Sequence, residues 1–453
     1  MLRMSNTGYI EKYAIFLPYI LATSFFIFQH IRILDWDFIV YILNGRYFFS
    51  DGIYFEWFRP PLVSFLLGIF FLLKTNIAEY LFIIFVSTLH LFSSFKLAKK
   101  FELNKNFYYL ISLSPFLLIN GLLTGTELLV LSLLQLFLAY YDKAGASVFL
   151  ALSFLTRYPA IIYFPLILFK KNLKKIFIDI FLFLLVIFPW LLYNLIQKGN
   201  FFYSIIDSYA LNIKFRDYMP FTFDFRVILI VGSYLTILSL LGALSRIKKF
   251  NRYDIIMVCV FLLSLFSYLN TPLKLDRYLF FILIPLAYFS TIFVYQLKQK
   301  NIVMGIILLI CSFSVYFLIS DYNERSNELD VYRTSLPYLD NCTLLSNTWV
   351  HMNYLGVVAA PAPWEKLVKE NIDKGNRILL FYDASEPNYV KNENFLNEFP
   401  IIKKTDNFIL LGNPDICNPK GKKYLYDYLS LRNQTIYMIF NETIDISNRN
   451  ILL

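Results

Sequence analysis

The chain has 453 residues, of which 58% are hydrophobic and only 16% charged, with a mean hydropathy of +0.55. Soluble proteins carry about 25% charged residues, so this composition excludes an ordinary soluble enzyme. Many apolar runs approach the roughly 20 residues that a helix needs to cross about 30 Å of hydrocarbon. We therefore expect a multi-pass protein of the cell membrane, in contact with membrane lipid.

The formal net charge of +10 does not indicate a nucleic-acid partner, because the basic residues cluster in short loops between apolar runs. These loops are KLAKKFELNK (96–105), KKNLKK (170–175), RIKKFNR (246–252) and KQK (298–300). Basic loops of membrane proteins concentrate on the cytoplasmic side, which predicts a cytoplasmic N-terminus. The first apolar run, about 13–34, is too long for a signal peptide and lacks a small-residue cleavage site.

The predicted elements then alternate across the membrane. The first span ends at Asp35, and residues 60–73 predict a short helix that lies at the outer surface or re-enters it, because about 14 apolar residues are few for a crossing. Further spans are expected near 77–95, 107–122, 127–141, 144–156, 158–169, 176–195, 225–245, 254–272, 278–297 and 302–320. The sequence therefore predicts an all-α membrane domain of about eleven spans over residues 1–320.

After Ser320 the hydropathy falls, and residues 321–453 predict a small extracytoplasmic domain of α/β or α+β type. The segment WEKLVKENIDKG (364–375) has the pattern of an amphipathic helix with Gly375 as its C-cap. The runs RILLFYD (377–383) and FILLG (408–412) are typical of buried strands.

Two features favour an outside location for this domain. All three N-glycosylation sequons of the chain lie in it, at Asn341, Asn433 and Asn441. Two of the four cysteines, Cys342 and Cys417, also lie there as candidates for a disulfide, the alternative being two reduced thiols.

The charged residues that are not basic anchors gather on the predicted outer side. They are Asp35, Asp37, Asp51, Glu56, Arg59, Glu127, Arg157 and Arg277. Placing an ionisable group at membrane depth has a high free-energy cost, so such groups indicate functional sites. Carboxylates can deprotonate an acceptor, arginines bind phosphate through a bidentate fork, and a cavity open to lipid admits an isoprenoid tail. Chemistry on a lipid-linked phosphosugar fits this set.

Several of these residues also have an interpretation without a catalytic role. An aspartate directly after a span, such as Asp35, often caps a helix, and Asp51 is most simply a turn residue. Arg157 and Arg277 are equally explained as membrane anchors. The chain contains no Walker motif, GxGxxG, HExxH or zinc-type Cys/His spacing, which argues against a nucleotide-driven pump.

The order of several segments resembles a known family. Asp37 is followed four residues later by Tyr41 and then by YFEWFRPPL (54–62). Downstream lie GLLTGTELLVLSLL (121–134), ALSFLTRYPAIIYFPLILF (151–169) and LDRYLFFILIPLA (275–287). Over roughly residues 13–300 this order resembles the GT-C-type integral membrane glycosyltransferases, in particular the protein O-mannosyltransferase and lipid A aminoarabinose transferase group.

The resemblance implies an enzyme that takes a sugar from a polyprenyl- or dolichyl-phosphate donor and transfers it outside the cytoplasm. The acceptor would be a protein, a lipid or a glycan. By resemblance, Asp37 is the catalytic base, Glu56 positions substrate and Arg59 holds the donor phosphate. The remaining implied cavity residues are Arg157 and Arg277 at the phosphate, with Asp35, Tyr41 and Glu127 nearby.

The chain also departs from the family pattern. Phe38 follows Asp37 where the family often has Glu, and Trp57 and Phe58 separate Glu56 from Arg59. The order Asp35-Trp-Asp37 also resembles the DxD of oligosaccharyltransferases, which implies a divalent metal such as Mg²⁺ or Mn²⁺ and leaves metal use open. The alternative function is a flippase or a non-catalytic binding protein for lipid-linked sugars.

Overall fold

The computed structural model describes residues 15–50, 52–73, 75–210, 224–271, 274–324, 327–384 and 386–428. Most of these residues are helical. In chain order the α-helices are α1 (Phe16–Arg32), α2 (Trp36–Phe49), α3 (Pro61–Phe71), α4 (Thr75–Lys100), α5 (Lys105–Ser112), α6 (Pro115–Asn120), α7 (Glu127–Ala139), α8 (Ser147–Thr156), α9 (Leu173–Lys198), α10 (Tyr203–Tyr209), α11 (Arg226–Gly232), α12 (Tyr234–Arg246), α13 (Arg252–Leu269), α14 (Leu283–Gln296), α15 (Lys300–Glu324), α16 (Glu328–Arg333), α17 (Trp349–Tyr354), α18 (Val368–Asp373) and α19 (Glu393–Leu396). The 3-10 helices are Tyr158–Phe169, Ile247–Lys249, Asp276–Ile282, Leu336–Tyr338, Glu365–Leu367 and Asn388–Lys391.

The chain divides into two compact units. The helical unit comprises Met1–Ile31 and Trp57–Glu324, and the sheet unit comprises Arg32–Glu56 and Arg325–Leu453. The segment predicted as the first outer loop therefore packs with the C-terminal region. The predicted division into domains 1–320 and 321–453 stays a prediction.

Five helices of the described chain are long and apolar enough to cross a membrane, or up to seven if two bent helix pairs each count as one span. The five begin at Ile77, Leu173, Arg252, Asp276 and Lys300. The chain is thus a multi-pass membrane protein by its helices, but the predicted count of eleven is not confirmed. Three predicted spans are short helices instead, namely Glu127–Ala139, Ser147–Thr156 and the 3-10 helix Tyr158–Phe169, and Pro61–Phe71 is a short apolar helix as predicted.

Local sequence explains where some of these helices are interrupted. The predicted span 107–122 is split into α5 and α6, because Pro115 cannot donate a backbone hydrogen bond and instead begins a new helix capped by the Ser114 side chain. Between α11 and α12 the chain bends by 97° at Ser233, whose φ is +49°. Helix α3 likewise begins at Pro61, as the Pro60-Pro61 pair indicates.

The interior of the helical unit centres on α7, whose residues are all buried and which packs between α4 and α8. Helices α12 and α14 approach closely at Gly242, where an added Cβ would lie 2.0 Å from the Phe289 carbonyl oxygen. Helix α9 instead exposes large apolar side chains such as Phe177, Phe181 and Leu185. An apolar surface of this kind suits contact with lipid.

The sheet unit contains a five-stranded mixed sheet of order β2-β1-β3-β5-β4. Its strands are β1 (Leu344–Ser346), β2 (Ala359–Pro361), β3 (Arg377–Phe381), β4 (Ile401–Lys404) and β5 (Phe408–Leu411). The first three strands are parallel neighbours, whereas β5 runs antiparallel between β3 and β4. Strands β3 and β5 coincide with the two predicted apolar runs and are fully buried.

The C-terminal region was also predicted to contain an amphipathic helix, a disulfide and three glycosylation sites. The helix predicted over 364–375 is the short 3-10 helix Glu365–Leu367 followed by α18, and Gly375 beyond it has a φ of +83°, which favours glycine. Cys342 and Cys417 are joined by a disulfide, with their Cα atoms 5.2 Å apart. Asn341 is exposed, whereas Asn433 and Asn441 lie outside the described residues, and glycosylation at all three stays a prediction.

Candidate functional site

The predicted site residues fall into two groups, one in each compact unit. Asp35, Asp37, Tyr41 and Glu56 belong to the sheet unit, and Arg59, Glu127, Arg157 and Arg277 to the helical unit. Asp51 lies outside the described residues.

In the sheet unit, Asp35 and Asp37 stand at the start of α2. Asp35 is the N-cap, and its Oδ1 accepts a hydrogen bond of 2.8 Å from the backbone N–H of Asp37. Asp37 occupies the first turn and is half-buried. The positive end of a helix dipole is a favourable place for a carboxylate. Asp35 has the capping role that the non-catalytic interpretation predicts.

Glu56 is tied to the same face of α2 that carries Asp37. Positions 37, 41 and 44 share that face because they are four and three residues apart. Asn44 donates from Nδ2 to the Glu56 carbonyl oxygen at 3.0 Å, and its Oδ1 accepts from the Glu56 N–H at 2.9 Å. Tyr54 donates its hydroxyl proton to Glu56 Oε1. Helix α2 therefore carries the half-buried Asp37 and, through Asn44, holds the buried Glu56. Tyr41, which lies between these two residues in the sequence, is also buried.

The Asp35–Asp37 pair is the candidate site for a divalent metal. Among the described residues no three or more His, Cys, Asp or Glu side chains form a group able to hold a metal ion. Asp35 moreover uses one carboxylate oxygen as the helix cap.

In the helical unit, Glu127 and Arg157 form a buried ion pair. Arg157 Nη1 lies 2.5 Å from Glu127 Oε1, and the Glu127 side chain is only 2% exposed. Thr124 and Thr126 donate their hydroxyl protons to the other carboxylate oxygen, Oε2. Arg157 ends α8 as its C-cap, and Glu127 begins α7. The pair accounts for the charge of Glu127 and fixes the guanidinium of Arg157.

Arg157 and Arg277 lie on the same aromatic ring. Their guanidinium carbons are 5.7 Å and 5.9 Å from the centroid of Tyr278, and Arg157 also lies 5.1 Å from that of Phe280. Arg277 further lines a cavity of about 400 Å³ together with Asp276, Asn120, Ser233 and apolar side chains. Two of the three arginines predicted to bind phosphate thus lie at one aromatic ring, and one of them, Arg277, also lines the cavity.

Arg59, the third of these arginines, is half-buried just before α3, with its guanidinium 4.6 Å from the centroid of the neighbouring Phe58 ring.

Sequence reasoning missed the residues that surround the Asp37 helix within the sheet unit. Helix α17 packs against α2, and His351 of α17 donates from Nε2 to the Leu34 carbonyl oxygen at 3.2 Å. Burial lowers the pKa of His351 to about 4, so the imidazole is neutral and Nε2 carries the proton. No local sequence signal identifies this contact, since 317 residues separate the two partners.

No family model matches the chain, and no curated protein matches it by sequence. Among solved structures, it is similar to ArnT from Cupriavidus metallidurans bound to undecaprenyl phosphate, with a TM-score of 0.66 and 9% identity over 90% of this chain and 100% of the ArnT chain. The likeness to the same protein in the apo state has a TM-score of 0.62 and 9% identity, over 90% and 99% of the two chains. ArnT is a lipid A aminoarabinose transferase with a GT-C fold, so the resemblance stated from the sequence is confirmed for the fold.

Proposed function

We propose that this chain is a membrane glycosyltransferase that moves a sugar from a polyprenyl- or dolichyl-phosphate donor to an acceptor outside the cytoplasm. The observation that carries the proposal is the ArnT-like fold over 90% of the chain, since that fold binds undecaprenyl phosphate in one of the two ArnT structures. The two groups of side chains described above fit the same chemistry. The proposed acceptor is a protein, a lipid or a glycan.

In the proposed reaction Asp37 is the general base. The acceptor hydroxyl oxygen attacks the anomeric carbon of the donor sugar while its proton passes to the Asp37 carboxylate. The bond between the anomeric carbon and the phosphate oxygen breaks, and its electron pair leaves with the polyprenyl phosphate. A single displacement of this kind inverts the anomeric configuration. Glu56, held by Asn44 and Tyr54, would position the substrate.

Arg59, Arg157 and Arg277 are the proposed ligands of the donor phosphate. A guanidinium has five N–H donors, and the Glu127 ion pair uses Nη1 of Arg157, which leaves other donors for a phosphate oxygen. As the sugar leaves, negative charge grows on the phosphate, so fixed cations stabilise the transition state. The ion pair with Glu127 supports this role because it holds Arg157 in place before the donor binds.

The proposal retains the predicted orientation, with the N-terminus in the cytoplasm and the C-terminal domain outside. The disulfide between Cys342 and Cys417 supports it, because disulfides persist in oxidising compartments outside the cytoplasm.

Removing an arginine is expected to weaken binding of undecaprenyl phosphate by about 10–100-fold, since hydrogen bonds to a charged group contribute about 1.5–3 kcal/mol. Radiolabelled undecaprenyl phosphate would be bound to purified protein in nanodiscs, comparing wild type with Arg59→Ala, Arg277→Ala and Arg157→Lys. The Lys substitution keeps a positive charge beside Glu127 but loses the planar fork. The matched control is Arg333→Ala, which removes only an exposed pair with Asp330. Unchanged affinity in all three variants would reject the phosphate assignment.

A further inference from the structure

Within the sheet unit, α17 packs against the first turn of α2, which carries Asp37. Trp36, the first residue of α2, has its ring centroid 5.9 Å from that of Trp349 and 5.8 Å from that of His351, in edge-to-face arrangements. Both partners belong to α17 and are buried. The residue directly before Asp37 is therefore held by two side chains that lie more than 300 positions later in the sequence.

The backbone on the other side of the N-cap is fixed by the same helix. His351 Nε2–H donates to the carbonyl oxygen of Leu34, the residue before the cap Asp35. His351 is 6% exposed, and the Tyr332 ring packs on its imidazole with a centroid distance of 4.9 Å. A buried histidine that is hydrogen-bonded and packed against an aromatic ring restrains the Leu34 carbonyl.

Two further contacts join α17 to α2 and to the segment that follows α2. Near the end of α2, Arg46 donates from Nη1 to the Tyr354 carbonyl oxygen at 3.0 Å, and its guanidinium carbon lies 4.9 Å from the centroid of that residue's ring. Near Glu56, the Tyr54 ring lies 5.4 Å from Trp349. The interface thus extends from the Asp37 turn to the segment that carries Glu56.

We propose that α17 of the C-terminal region is the positioning element for Asp37, with His351 as its central positioning residue. This inference rests on the proposed function, in which Asp37 is the base, and it assigns the C-terminal region a role in catalysis through another residue. His351 acts by fixing the Leu34 carbonyl and the Trp36 ring, so that the first turn of α2 presents the Asp37 carboxylate in one orientation. A small displacement of a reacting group lowers the reaction rate strongly: a shift of about 1 Å can lower it by about 10²-fold.

The test compares His351→Leu and His351→Gln with wild type, using the polyprenyl-phosphate sugar that wild type turns over fastest from a panel. His351→Leu is expected to lower kcat by about 10–100-fold with the KM for donor within a few-fold, because His351 is not one of the proposed phosphate ligands. His351→Gln keeps an N–H donor in place of Nε2 and is expected to restore most of kcat. The control is Tyr389→Phe, which removes a hydrogen bond to the Pro363 carbonyl in the same unit.

A double-mutant cycle separates positioning from general loosening of the unit. In an Asp37→Asn background, His351→Leu is expected to cause no further loss, since there is no base left to orient. Equal losses from His351→Leu in both backgrounds, or a loss no larger than that of Tyr389→Phe, would overturn the inference. Wild-type turnover by Asp37→Asn would instead reject the proposed base.

Hydrogen exchange provides a readout that needs no turnover. Peptides that cover residues 34–41 are expected to exchange faster in His351→Leu than in wild type or Tyr389→Phe, because the first turn of α2 loses its anchor. Unchanged exchange in these peptides contradicts the positioning role, even if the donor assignment proves correct.

Discussion

Asp37→Asn is expected to lower turnover of the donor by about 10²–10⁴-fold, the range that a positioned general base contributes. Asparagine has nearly the same shape and is tolerated near a helix N-terminus, so the fold and donor binding should persist. The reason for the loss is that an amide cannot take the acceptor proton. Release of free polyprenyl phosphate measures turnover, and retention of labelled donor by purified protein measures binding.

The turnover of Asp35→Asn should be compared with that of Asp37→Asn, and we expect Asp35→Asn to keep its turnover. The Asp35 side chain accepts a capping hydrogen bond, and asparagine caps helices about as well as aspartate. If the pair instead binds a metal as a DxD motif, Asp35→Asn should lose as much turnover as Asp37→Asn. Normal turnover by Asp37→Asn would show that Asp37 serves the helix and not the reaction.

Asp179→Leu is expected to destabilise the helical unit by about 3–5 kcal/mol, the usual cost of leaving a buried charge unpaired. Asp179 is fully buried and pairs with Lys170, which is 6% exposed. Its Oδ1 also accepts from the backbone N–H of Gly145 at 2.8 Å and from the Ser147 hydroxyl at 3.1 Å. One carboxylate therefore joins α9 to the start of α8 and to the end of the 3-10 helix Tyr158–Phe169.

Thermal unfolding of the purified protein in detergent would check this expectation. The matched control is Glu370→Gln, because the exposed pair of Lys374 and Glu370 should contribute less than about 1 kcal/mol. The double variant Asp179→Leu/Lys170→Met should recover much of the loss, since it removes both charges. An unfolding temperature for Asp179→Leu equal to that of wild type would show that the pair is not stabilising.

The parts of the fold that follow local rules were predictable from the sequence. Strands β3 and β5 are short apolar runs bounded by turn residues, and α3 begins where Pro61 favours a helix start. Hydropathy also identified the apolar runs, but it does not show where a run is broken. Residues 107–122 look continuous, yet Ser114 and Pro115 start a second helix there. A break of this kind divides one predicted span into two short helices, and the predicted count of eleven stays unconfirmed.

The site was predictable only as a set of residue types on one predicted side of the membrane. The pairing of Glu127 with Arg157 joins residues 30 positions apart, and the His351–Leu34 contact joins residues 317 apart. Such partners depend on tertiary packing, which no local pattern encodes. Asn44 was missed for a related reason: an asparagine inside an apolar helix has no pattern that points to Glu56, although the structure pairs them.

Donor turnover by wild-type protein tests the central claim most directly. Membranes carrying the protein would receive a panel of polyprenyl-phosphate monosaccharides with radiolabelled sugars, and the release of free polyprenyl phosphate and the transfer of label would be followed together. We expect one donor to be consumed, with equal amounts of polyprenyl phosphate released and sugar found on an acceptor. Movement of the intact donor across the bilayer, with its sugar–phosphate bond unbroken and no label transferred, would contradict the account and identify a flippase.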